Sequence, residues 1–102
     1  MNTQLHQGTL RISGVTELGA ANSDSFREEV RAALPTTLQA LEIDLSETRF
    51  VDGCGLGALI SLYKTATVRN GGVRFRLLNP TRPVQQLLEL TGLHRILEVA
   101  RC

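Results

Sequence analysis

Cysteine is scarce in this sequence. Cys54 and Cys102 are the only two in 102 residues, which makes no disulfide framework and points to free thiols in a cytosolic protein. Long apolar runs are missing too, so no segment approaches the roughly 20 residues that span a bilayer, and no membrane insertion is expected. Residues 1–8 are polar and do not read as a signal peptide. There is no excess of one charge: eleven basic against ten acidic residues leave +1. The basic residues are spread along the chain, without the patch that nucleic acid selects. Ten of the eleven are arginine, a bias with no functional reading. Histidine is limited to His6 and His94, which carry no motif and read as surface residues. There is no internal repeat and no low-complexity linker.

What is present suits one domain. An apolar fraction of 42% is ordinary for a globular chain, and this length can bury a core without staples. Leu10 and Ile12 alternate with Arg11 and Ser13, giving a strand that stops at Gly14, with residues 4–6 as an edge strand across Gln7-Gly8. Residues 18–22 read as a loop of small residues. A helix follows over 23–34, with caps offered by Asn22, Ser23 and Ser25, capping-box spacing from Ser25 to Glu28, and an apolar face of Phe26, Val30, Ala33 and Leu34. Pro35 ends it.

The most informative stretch is LEIDLSETRFVDGCGL, residues 41–56. It starts as an alternating strand, 41–45, and crosses a polar turn, 46–49. Phe50 and Val51 are expected to tuck back to the core before Asp52-Gly53-Cys54-Gly55 leads into a helix over 55–69. In that helix Leu56, Leu59, Ile60, Tyr63 and Thr67 are expected to face the sheet, with Ala58, Leu62 and Ala66 as a lesser stripe. Asn70-Gly71-Gly72 stops it. Val73, Phe75 and Leu77 alternate with Arg74 and Arg76 in a strand over 73–78 with one solvated, charged face, available to an acidic patch on a partner. Thr81 caps a third helix that tolerates Pro83 in its first turn and buries Val84, Leu87, Leu88 and Thr91. Gly92 closes that helix, and Ile96, Leu97 and Val99 suggest a last strand. The order β(β)αβαβαβ implies an α/β fold with right-handed crossovers and a largely parallel sheet.

Several motifs invite chemistry. Residues 53–58, GCGLGA, match the glycine fingerprint of a dinucleotide turn. The strand does not run directly into it, Asp52 would oppose a pyrophosphate, and no acidic residue ends the next strand to hold a ribose. The plainer reading is that the glycines permit a tight turn and close packing. Cys54 near a helix start suggests a nucleophile, yet no basic partner adjoins it, and a small, partly buried thiol is the expectation. Cys102 reads as an exposed terminal thiol. Asp44 and Asp52 lack a third ligand for a metal, and Asp52 suits a helix cap.

Taken together, residues 10–99 resemble the STAS family, the sulfate transporter and anti-sigma factor antagonist domains. The resemblance rests on LEIDLSETRFVDGCGLGALI, Gly71-Gly72-Val73, Asn79-Pro80, and Leu88, Thr91, Gly92 and Leu93 in their order and spacing. It implies a β/α domain with a mixed, largely parallel sheet of four to five strands and three or four helices. It also implies docking without catalysis or cofactor. The partner in the bacterial regulatory branch is an anti-sigma factor that is also a serine kinase of GHKL type, and phosphorylation of a Ser or Thr before the motif glycine abolishes binding. Asp52, Gly55 and Leu56 fall on the family's Asp, Gly and Leu, and Cys54 falls on the phosphoacceptor. The expected docking surface is Asp52, Gly53, Cys54, Gly55 and Leu56, bordered by the loop of Ala21, Asn22 and Ser23. A thiol is no substrate for an ordinary Ser/Thr kinase. Three readings follow: an always-competent antagonist, a scaffold or subunit of another complex such as a lipid-transport ATPase, or a redox switch. A nucleotide-binding module using the glycine turn is the reading from a different class.

Overall fold

A computed structural model describes every residue except Thr36, Asn70, Gly71 and Cys102, with the backbone alone for Val68 and Arg69. The expectations for Asn70-Gly71 and for Cys102 therefore lie outside the described residues. Strands β1 (Asn2–His6) and β2 (Thr9–Ser13) form the expected antiparallel hairpin. Its turn holds Gln7 at φ 49° and Gly8 at φ 83°, the two positive values that a tight turn between right-twisted strands requires. Next come β3 (Glu17–Leu18), α1 (Ser23–Ala33), β4 (Ala40–Asp44), β5 (Phe50–Val51), α2 (Gly53–Lys64), β6 (Arg74–Leu78), α3 (Arg82–Thr91) and β7 (Glu98–Ala100).

The main sheet runs β1-β2-β4-β6-β7, parallel except for β1. Each of its three helical crossovers moves one strand further in the same direction. Right-handed connections then bring the helices to one face. A single continuous core results, joining Leu10, Ile12, Leu41, Ile43, Phe75 and Leu77 of the sheet to Phe26, Val30, Leu59, Leu62, Val84 and Leu88 of the helices. Because helices pack on one face, the alternate residues of these parallel strands are free to be polar, unlike those of a sheet covered on both sides.

That second face corrects the expectation of a merely solvated Arg74 and Arg76. Arg11, Glu42, Arg76 and Glu98 stand in register across four strands. Glu42 is buried and sits between Arg11 Nη2 at 3.0 Å and Arg76 Nη2 at 3.4 Å. Glu98 accepts from Arg74 at 2.6 Å and lies 3.9 Å from Arg76 Nε. The Arg74 guanidinium, by donating to Glu98, holds that carboxyl below the usual range, and Glu98 in turn raises Arg74.

Other departures are local. Residues 17–18 are a strand rather than loop, because they pair in parallel with β5 in a small second sheet. Phe50 does not tuck inward: alternation on β5 buries Val51 and leaves Phe50 exposed. The capping box at Ser25 is absent, since Ser25 lies inside α1 and its hydroxyl donates to the Asn22 carbonyl. Helix α2 starts at Gly53 and gives way to a π-turn over Thr65–Arg69. There the Thr65 and Thr67 hydroxyls donate to the carbonyls of Ser61 and Tyr63, competing with the backbone for them. The lesser stripe proves the deeper one: Ala58, Leu62 and Ala66 are buried with Leu56 and Leu59, whereas Ile60, Tyr63 and Thr67 are half-buried, because α2 packs on α1 as well as on the sheet. In α3 Thr91 is exposed and bonds back to the Leu87 carbonyl. Thr81 occupies the cap position, but its hydroxyl donates to the Thr48 carbonyl instead. Ile96 is exposed and precedes the last strand, which begins at Glu98.

Candidate functional site

Two loops meet where β3 and β5 pair, one leading into α1 and the other into α2. Asp52 joins them. Its Oδ1 accepts from Gly55 N at 3.0 Å, capping α2, and its Oδ2 accepts from Ala20 N at 3.0 Å, holding the α1 loop. These donors, Gly55 first and Ala20 second, lower the Asp52 carboxyl below its ordinary value. The capping role expected from the sequence is thus observed, with a second loop attached.

The α1 loop is itself tied down. Asn22 Oδ1 accepts from Gly19 N at 2.8 Å, Asn22 Nδ2 donates to the Glu17 carbonyl at 2.8 Å, and the Gly19 carbonyl accepts from Asn22 N and Ser23 N. Asn22 precedes α1 yet gives it no side-chain cap, because both ends of its amide serve the loop.

Two glycines set how closely the loops approach. A Cβ on Gly55 would lie 2.1 Å from the Leu18 carbonyl oxygen, so only glycine lets α2 start against β3. One on Gly19 would meet Asp52 Oδ2 at 2.8 Å and Phe50 Cε2 at 3.1 Å. Gly53 and Gly57 differ: a Cβ at either would meet nothing within 4 Å. The G-x-G-x-x-A match therefore lies inside a helix, and its middle glycine serves close packing.

The expected site residues divide into two sets. Asp52, Gly53, Cys54 and Asn22 reach the surface, whereas Gly55, Leu56 and Ser23 are buried and shape the turn from beneath. Cys54 is exposed, correcting the expectation of a partly buried thiol: the first turn of α2 projects past the core, and the position inside it belongs to Gly55. Sequence reasoning missed Phe50, Ala20 and Gly57, which are exposed at the same end. No sequence signal marked Phe50: β5 is the two apolar residues Phe50 and Val51, and only the sheet says which of them is inside. Of the nearby hydroxyls, Thr48 is fully buried and donates to the Val15 carbonyl, while Ser46 is exposed. Among the described residues no three His, Cys, Asp or Glu side chains gather to hold a metal ion, and no helix is long and apolar enough to cross a membrane.

Comparison with known proteins agrees with this architecture. A relative from Paenibacillus polymyxa named "Anti-sigma F factor antagonist" is 31% identical over 97% of this chain and 87% of its own length. Among solved structures, a candidate anti-sigma factor antagonist from Thermotoga maritima superposes with a TM-score of 0.87 at 22% identity, covering 97% of this chain and 84% of that one. The Bacillus anti-sigma factor antagonist SpoIIAA, 18% identical and covering 97% of this chain, gives 0.73 in its unphosphorylated form, over 86% of its length, and 0.63 in its phosphorylated form, over 89%. The family model described as "STAS domain" matches residues 1–101. With that match running nearly end to end on the expected sheet and helices, the chain belongs to the STAS domain family.

Proposed function

We propose that this chain is a non-enzymatic, cytoplasmic anti-sigma factor antagonist that docks its partner on the loop pair around Asp52, Gly53 and Cys54. The observation that carries the reading is the Paenibacillus relative, which matches nearly the whole chain at 31% identity. The site supports it chemically. Among its exposed residues, Ala20, Ala21, Gly53, Cys54 and Gly57 are small and uncharged, which permits close approach of another backbone there. A phosphate on such a surface would add charge and bulk to the interface.

The partner in this reading is an anti-sigma factor with serine-kinase activity of GHKL type. Cys54 stands where the kinase would find its hydroxyl, so the antagonist is always competent to bind. Thr48, buried and bonded, offers no substitute hydroxyl.

Titration calorimetry against each purified anti-sigma factor of the source genome tests this. One of them is expected to bind. Added ATP is expected to leave residues 53–56 unmodified by intact mass, while Cys54→Ser gains one phosphate and releases the partner. Cys54→Asp should keep the fold, because the side chain is exposed, and should weaken binding by on the order of tenfold or more. Phosphate on wild-type residues 53–56, or undiminished binding by a folded Cys54→Asp, contradicts the reading.

A further inference from the structure

We infer that Phe50 is the aromatic anchor of the docking surface, a ring held ready to enter an apolar recess on the anti-sigma factor. This rests on the docking reading above and adds a residue that the sequence reading had turned toward the core. Of the four aromatic residues, Phe26 and Phe75 are buried and Tyr63 is half-buried, whereas Phe50 is 53% exposed. A phenyl ring left half in water forgoes much of the stabilisation that burial supplies.

The ring is also fixed in place. Phe50 belongs to β5, in register with Glu17 of β3, and the flanking bonds Arg49 N to the Thr16 carbonyl, 2.9 Å, and Asp52 N to the Leu18 carbonyl, 3.2 Å, clamp the strand. Beneath it lies Gly19, where a Cβ would meet Phe50 Cε2 at 3.1 Å and Asp52 Oδ2 at 2.8 Å. The absent side chain thus seats the ring against the same loop that Asp52 holds. An aromatic side chain on a clamped strand has few torsions left to freeze, so little ordering cost attaches to its burial in a partner. Among the described residues, Met1, Leu5, Leu90 and Ile96 are the other exposed large apolar ones. They sit in or beside β1, in the last turn of α3, and just before β7, so Phe50 alone of the five belongs to the loop pair.

The test uses the anti-sigma factor identified by the titrations above, with Phe50→Ala, Phe50→Leu and Phe50→Lys, and Leu90→Ala as the remote control. Phe50→Ala is expected to weaken binding about 30-fold or more, the range of a central aromatic anchor. Phe50→Leu should lose less, Phe50→Lys at least as much as Ala, and Leu90→Ala nothing. Melting temperatures should stay close to wild type, and if Phe50→Ala does not fold, the Leu and Lys pair decides. Phe50→Ala binding within threefold of wild type, while Cys54→Asp loses the partner, overturns this inference and leaves the docking reading standing. Loss of neither, or no binding to any anti-sigma factor, overturns both. A free chain that dimerises in solution, and becomes monomeric with Phe50→Ala, would assign the ring to a second copy and overturn the inference as well.

Discussion

Gly55 carries the tightest steric demand among the described glycines. An added methyl would sit 2.1 Å from the Leu18 oxygen, which is backbone and cannot rotate away. Gly55→Ala should therefore destabilise the fold by about 1–3 kcal/mol, the usual cost of overpacking, read as a lower urea midpoint at unchanged slope. Asp52 makes a second prediction at this scale. Its folded carboxyl is lowered by the Gly55 and Ala20 N–H groups, so the unfolded chain holds the proton more tightly. Its contribution is present in full above the ordinary aspartate range and is lost as pH falls through the lower, folded value. The stability difference between wild type and Asp52→Asn should shrink on acidification through that window; a difference that is constant with pH would remove the charge from the argument. The cap role of Asp52 was legible because an acid before a glycine-led helix has one obvious use. The bond to Ala20 was not, since it joins residues 32 positions apart and no local pattern encodes it.

Among the elements, α2 combines two kinds of glycine. Gly55 is required by packing, but Gly57 faces open space at a helix-interior position, where glycine costs about 1 kcal/mol relative to alanine. Gly57→Ala should accordingly raise stability by about that amount, and on the docking reading it should also weaken partner binding, because the new methyl projects from the exposed face. Chemical denaturation and calorimetry on one variant check both; stabilisation with undiminished binding would place Gly57 outside the interface. The main helices and strands could be read from the sequence because each repeats its apolar period more than once. β3 and β5 are two residues long, too short for any period, and they are the elements that bring the loops together. The same gap hid Phe50: a two-residue strand does not announce which side is buried.

Across the whole molecule, crossovers that all advance in one direction separate a helical, apolar side of the sheet from a charged one. The alternation of charge along single strands was visible, but the row Arg11, Glu42, Arg76 and Glu98 depends on register between strands, which a single sequence does not state. This division offers two surfaces to a partner: the loop pair around Asp52 and the charged sheet face. In the row across the sheet face, Glu42 and Glu98 are already matched by arginine, so a partner gains little there that the chain does not supply itself. The loop pair instead presents small residues and one exposed ring. The most direct test is to titrate the isotope-labelled chain with its unlabelled anti-sigma factor and follow every backbone amide by NMR. The account predicts the largest perturbations at residues 19–22 and 50–57, with Arg11, Glu42 and Arg76 nearly unmoved. Perturbations centred on those three, with residues 50–57 unchanged, would contradict it.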